Sequence, residues 1–146
     1  MTAVPHRRAF TLLELATVLA IIGILVSVAV PTFSVSLARS RTVEARSLLE
    51  AMAHAELTYF RDHGAYLPCP PSPTTVPLGA TAWSGGPAWD ALGVRVAGAV
   101  RYQYEIKVDG STFHIEARAD LDGDGKTSLF LLDGETLGVN TTDELE

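Results

Sequence analysis

Between Phe10 and Val35 the chain has 26 residues and a single charge, Glu14. As one helix, at about 1.5 Å per residue, the stretch reaches roughly 39 Å, more than the ~30 Å of a bilayer's hydrocarbon core. His6, Arg7 and Arg8 precede it, and no further lysine or arginine occurs before Arg39. Positive flanks stay on the cytoplasmic side, which places the N-terminus inside and sends the rest of the chain across. With 146 residues in all, the remainder is one domain's worth of chain.

Glu14 is the anomaly in this stretch. An acid in lipid costs on the order of 3 kcal/mol unless it is paired, and such residues are functional suspects. Snorkelling to the head groups is the plain alternative. A conventional secretory signal, cut at Ser27-Val28-Ala29, and a twin-arginine signal built on Arg7 and Arg8 also compete. Either would release a soluble periplasmic domain. Glu14 interrupts the apolar core that both need, and the helical pattern continues past Pro31 with no loop where a cut would fall.

The residues "AFTLLELATVLAIIGILVSVAVPTF" resemble the N-terminus of type IV pilins and of type II secretion pseudopilins: a short basic leader, a cut before Phe, then "FTLLEL", "AIIGIL" and a proline. The likeness covers roughly residues 6–35. It implies a leader of residues 1–9, removed by a prepilin peptidase between Ala9 and Phe10, and methylation of the new Phe10 amine. Glycine normally precedes the cut in that family, whereas this chain has Ala9. It also implies polymerisation through the N-terminal helix, with the Phe10 amine of one subunit neutralising Glu14 of its neighbour. The two residues lie four positions apart, about 6 Å along a helix, and an α-amine is mostly protonated at neutral pH. The partners implied are other copies or related pilins in a helical filament, the peptidase, the inner-membrane assembly machinery and the bilayer before assembly.

Gly23 and Pro31 weaken any helix that contains them, by about 1 and about 3 kcal/mol. The resemblance implies that the segment between them melts or stretches in a filament; a simple kink is the alternative. Beyond Pro31, Leu48, Met52, Ala55 and Tyr59 repeat at helical period with Leu49, Ala53 and Phe60 beside them, and Gly64 is placed to cap the C-terminus. A second, amphipathic half of the helix is therefore predicted for residues 36–63. His54, His63 and the other two histidines are scattered, as surface groups are.

Residues 64–99 read as loop, because Pro68, Pro70, Pro71, Pro73 and Pro77 forbid helix or central strand. Trp83 and Trp89 follow, at least one of them expected in the core, with interface anchoring as the alternative. Over residues 100–140 the period changes to two. Val100–Val108, Ser111–Asp120 and Lys126–Asp133 read as an antiparallel meander of three strands, with Thr136–Val139 as a fourth. One face covers the helix stripe, and His114, Glu116 and Arg118 face water. The fold class is thus α+β, a pilin-type long helix packed on a sheet of three or four strands, in a globular part spanning 36–146.

In "DLDGDGKTS" the acids Asp120, Asp122 and Asp124 and the hydroxyl of Ser128 have calcium-loop spacing. Leu131 stands where such a loop needs its bidentate acid. Asp-Gly pairs serve a tight hairpin equally well, so calcium and a plain turn both stay open. No other cofactor is implied. Cys69 is the only cysteine and forms no internal disulfide, and a net charge of −6 without basic clusters argues against nucleic acid. No nucleophile with a base and no phosphate loop occurs, so no enzyme is expected. The functional expectation is a structural subunit: a pilus pilin, major or minor, or by the same resemblance a pseudopilin, resident in the inner membrane before assembly and in an extracellular pilus or periplasmic pseudopilus after it. A secreted calcium-binding domain is the alternative of a different class.

Overall fold

In a computed structural model the described residues are 10–121, 123 and 125–142. They fall into two compact units, one up to residue 37 and one from residue 38 onward. The first helix, α1, runs Leu12–His63. Its start is fixed by Thr11, whose hydroxyl accepts the Glu14 backbone N–H at 3.2 Å while its carbonyl accepts that of Leu15 at 3.1 Å. Thr11 and Glu14 have the spacing of a capping box. The helix stops at Gly64, as its sequence predicts: Gly64 takes φ 73° and donates to the Phe60 carbonyl at 2.7 Å.

In the second unit α1 buries Ala45, Leu49, Met52, Ala53 and Glu56, while Leu48, Ala55 and Tyr59 are only half-buried. The inward stripe is thus turned by about one position from the predicted one. The predicted stripe passes over Glu56, which the structure places inside.

The elements after α1 are β1 (Cys69–Ser72), β2 (Thr81–Ala82), α2 (Pro87–Leu92), β3 (Ala99–Val100), β4 (Gln103–Asp109), β5 (Thr112–Ala119), β6 (Ser128–Asp133) and β7 (Val139–Thr142). The main sheet is antiparallel with the order β1-β4-β5-β6-β7, and β2 pairs with β3 apart from it. The meander is as predicted, but the sheet has five strands. The extra one, β1, has Pro70 and Pro71 in its middle, and it is tolerated because it lies at the edge and shifts register between Cys69 and Ser72. At the other edge β7 covers Val139–Thr142, not Thr136–Val139. Asp133 Oδ1 accepts the N–H groups of Glu135 and Thr136 and the Thr136 hydroxyl, which turns residues 134–138 into a loop. Gly134 is required there, since a Cβ would stand 2.5 Å from the Phe113 carbonyl oxygen.

Residues 64–99, read as loop, contain β1, β2 and α2. The helix α2 has proline at its N-terminal turn and Gly93, at φ 79°, after its last residue. With six residues it has too few turns to hold itself, so packing decides it. Trp89 provides that packing: it is fully buried, donates from Nε1 to the Pro70 carbonyl at 2.9 Å, and meets Trp83 edge-on at 5.1 Å between centroids. Tyr102, Tyr104, Ile106, Phe113, Ile115, Phe130 and Leu132 complete the core.

His114, Glu116 and Arg118 do lie on the sheet face away from that core, but Glu116 does not face water. It is buried beneath Lys107, whose Nζ lies 2.8 Å from Oε1, and beneath Arg118, which bonds the other oxygen. Burial works to raise its pKa; the Lys107 hydrogen bond and the Arg118 charge outweigh that and hold it below the usual carboxylate range.

Candidate assembly site

Every residue from Phe10 to Val30 is exposed. The window Leu12–Val30 has a mean hydropathy of 2.5 and no buried share at all. Leu12, Leu13, Leu19, Ile21, Ile24, Leu25, Val28 and Val30 each show more than half of their surface. An apolar surface that surrounds the whole helix is not the one-sided stripe of a helix resting on its own domain. Lipid or other apolar helices are what can cover it.

The polar side chains within this stretch are almost all satisfied by the helix itself. Thr17 donates to the Glu14 carbonyl at 2.9 Å, Ser27 to that of Ile24 at 2.7 Å, and Thr32 to that of Val28 at 2.9 Å. Such back-bonding removes the penalty of a hydroxyl in hydrocarbon. Glu14 differs. Its backbone N–H is taken by Thr11, yet among the described residues no lysine, arginine or histidine pairs with its carboxylate. Phe10 stands outside the helix, one residue before the Thr11 cap, and is 74% exposed. The structure therefore sets Phe10 and Glu14 at either end of the capped first turn. Ala9 and the basic leader residues lie outside the described residues.

α1 passes through Gly23 and Pro31 without a break. A Cβ at Gly23 would touch nothing within 4 Å. Pro31 has no N–H, so the Ser27 carbonyl lacks its usual helical donor, one missing rung in the ladder. The two positions thus bracket a stretch held by the helix's own hydrogen bonds, among them the Ser27 hydroxyl on the Ile24 carbonyl.

Of the predicted cation loop, Asp122 and Asp124 lie outside the described residues. Asp120 is buried and has both carboxyl oxygens engaged: Oδ1 accepts the Gly123 N–H at 2.8 Å and Oδ2 that of Gly125 at 3.1 Å. Ser128 is buried and donates to the Ala119 carbonyl at 3.2 Å. These bonds staple the β5–β6 connection. Among the described residues, no group of three or more His, Cys, Asp or Glu side chains is placed to hold a metal.

Two acids of α1 have roles that sequence reasoning missed. Glu44 holds Arg101, accepting its backbone N–H at 2.9 Å on Oε1 and its Nη1 at 2.6 Å on Oε2. Glu56 accepts the Leu67 N–H at 3.1 Å. The one available signal for Glu56 is its position: an acid inside the apolar run "MAHAELTYF".

Residues 5–30 match the family described as the prokaryotic N-terminal methylation motif. The chain is similar to the type IV major pilin protein PilA of Myxococcus xanthus, 44% identical over 62 residues, which is 42% of this chain and 28% of that protein. It is similar to the type IV major pilin protein PilE1 of Neisseria gonorrhoeae, 40% identical over 60 residues, 41% of this chain and 36% of that protein. The fimbrial protein EcpC of Eikenella corrodens is likewise 40% identical over 60 residues, 41% of this chain and 39% of that protein. The chain thus spans well under half the length of the curated relatives it matches. No solved structure matches it.

Proposed function

Starting from an N-terminal segment of the type IV pilin family, we propose that this chain is a structural subunit of a type IV pilus-like filament. The observation that carries the reading is the all-round exposure of Leu12–Val30 around Glu14, a carboxylate with no cationic partner among the described residues. Before assembly the bilayer covers this surface. In the filament the same helices of neighbouring subunits replace the lipid, and each Glu14 is neutralised by the Phe10 amine of an adjacent copy. That exchange matches apolar surface for apolar surface, so what specifies the register is the ion pair, whose misplacement leaves an acid unpaired in a dry environment.

Cleavage between Ala9 and Phe10 makes that amine, and alanine, like glycine, leaves the position before the cut uncluttered. The cut leaves the Thr11 cap in place, so the mature helix begins where the precursor's does. A pilus is favoured over a secretion pseudopilus because the relatives above are named as pilins and a fimbrial protein. The loop at Asp120 serves as a backbone-stapled turn in this reading, with both carboxylate oxygens already used by amides.

Mass spectrometry of the mature N-terminus tests the reading. A chain that begins with methylated Phe10 is the expected result; a chain that begins near Val30, released to the soluble fraction, would mean a secreted domain instead.

A further inference from the structure

Glu56 takes no part in the assembly segment, and it has the least support of the buried acids. Its side chain is fully buried in the face of α1 that carries Leu49, Met52 and Ala53. Oε2 accepts the Leu67 N–H at 3.1 Å, and Oε1 has no hydrogen-bond partner among the described residues. Glu116 and Asp120, the other buried acids among the described residues, each have two donors or more.

Among the described residues, the groups around Glu56 offer it no cation. On α1, the residues one turn away are Met52, Ala53, Tyr59 and Phe60. From β1 it meets the thiol of Cys69, which burial and the nearness of Glu56 push up to about 12, so that it stays neutral. Cys69 is paired with Ile106 of β4, and Ile106 with Ile115 of β5, so the sheet adds no charge there. Tyr66, next to Leu67, stacks on Phe60 and packs against Phe113. No lysine, arginine or histidine is buried among the described residues.

An ionised carboxylate here lacks both things that keep buried acids charged, a counter-charge and a full set of donors. The neutral acid fits better, because its carbonyl oxygen still accepts from Leu67. We infer that Glu56 is a proton-operated latch in the globular unit: protonated in mildly acidic surroundings it tightens the hold of α1 on the strap leading into β1, and ionised in neutral or alkaline surroundings it loosens that hold.

Burial, opposed only by the Leu67 N–H, moves the Glu56 pKa from 4.5 up to about 6. The folded state therefore binds the proton more tightly than the unfolded one. The stability this supplies is complete below about 4.5 and is lost as pH rises through about 6. This slope is opposite in sign to that of Glu116, whose lowered pKa favours the fold above the carboxylate range.

The test uses the full-length chain in non-ionic detergent, unfolded by denaturant at pH 8 and at pH 5. Trp83 and Trp89 report on the globular unit alone. The wild type is expected to have an unfolding constant roughly tenfold smaller at pH 5 than at pH 8 through this group. Glu56→Gln keeps an acceptor for Leu67 without the charge; it is expected to lose that tenfold term and to exceed the wild type in stability at pH 8. Parallel pH curves for the two proteins would overturn the latch. Should the variant not fold, a carbon-13 titration of the Glu56 carboxyl in the wild type decides: a midpoint above about 5 supports it, and one at or below about 5, in the ordinary glutamate range, overturns it.

Discussion

The two parts of α1 solve one problem in different ways. Residues 12–30 are apolar on all sides and exposed among the described residues; residues 42–56 are apolar on one side and the sheet covers that side. Each part holds one acid in an apolar setting. Glu56 has its donor eleven residues away at Leu67, whereas Glu14 has no side-chain partner among the described residues. Hydrophobicity alone says only that a helix must be covered. The breadth of the apolar surface says whether the cover belongs to the same chain, and the state of the embedded acid says whether the structure is complete as it stands.

This contrast breaks or sharpens at particular residues. The largest effect is expected from paired truncations, one in each part. Leu49→Ala opens a cavity in the core and should lower the stability of the globular unit by about 2 to 5 kcal/mol, whereas Leu19→Ala should change it by less than about 0.5 kcal/mol. Denaturant unfolding followed by tryptophan fluorescence measures both, and equal losses would erase the distinction. Next comes Glu14→Ala, which on the proposed filament reading should leave the protein in the membrane while lowering the yield of sheared filaments about tenfold or more. Normal filaments from that variant would dissolve the pairing of Glu14 with a neighbour's amine. The smallest effect is expected at the cap. Thr11→Val deletes one acceptor, worth about 1 kcal/mol, so hydrogen exchange at the Glu14 amide should quicken about fivefold, and Thr11→Ser should restore it.

Much of this was open to reading in the sequence, because the features concerned are local or periodic. The apolar run after Phe10, the Gly64 stop and the Asp109-Gly110 hairpin each follow from residues close together. Gly110 takes φ 60° at the first position of a two-residue turn, as such a hairpin needs. Even the proline-rich stretch was half legible: it excludes a central strand, and β1 is an edge strand. What stayed hidden depends on partners distant in the chain. Arg101 is 57 residues from Glu44, Gln103 donates to the Pro73 carbonyl across 30, and α2 exists because Trp89 reaches Pro70. At the candidate site, the apolar length and Glu14 are plain in the sequence, and the Thr-x-x-Glu spacing of Thr11 and Glu14 is a local signal for the cap that the structure shows. The burial of Glu56 is not legible from periodicity, since it depends on the Leu67 N–H, a single backbone donor eleven residues on.

Pro70 and Pro71 have a consequence beyond the fold of one molecule. Because neither ring nitrogen carries a hydrogen, the border of the sheet at β1 offers no run of donors to a foreign strand. Copies crowded together are hindered from zipping along that border into an endless ribbon, so close quarters need not end in aggregation there.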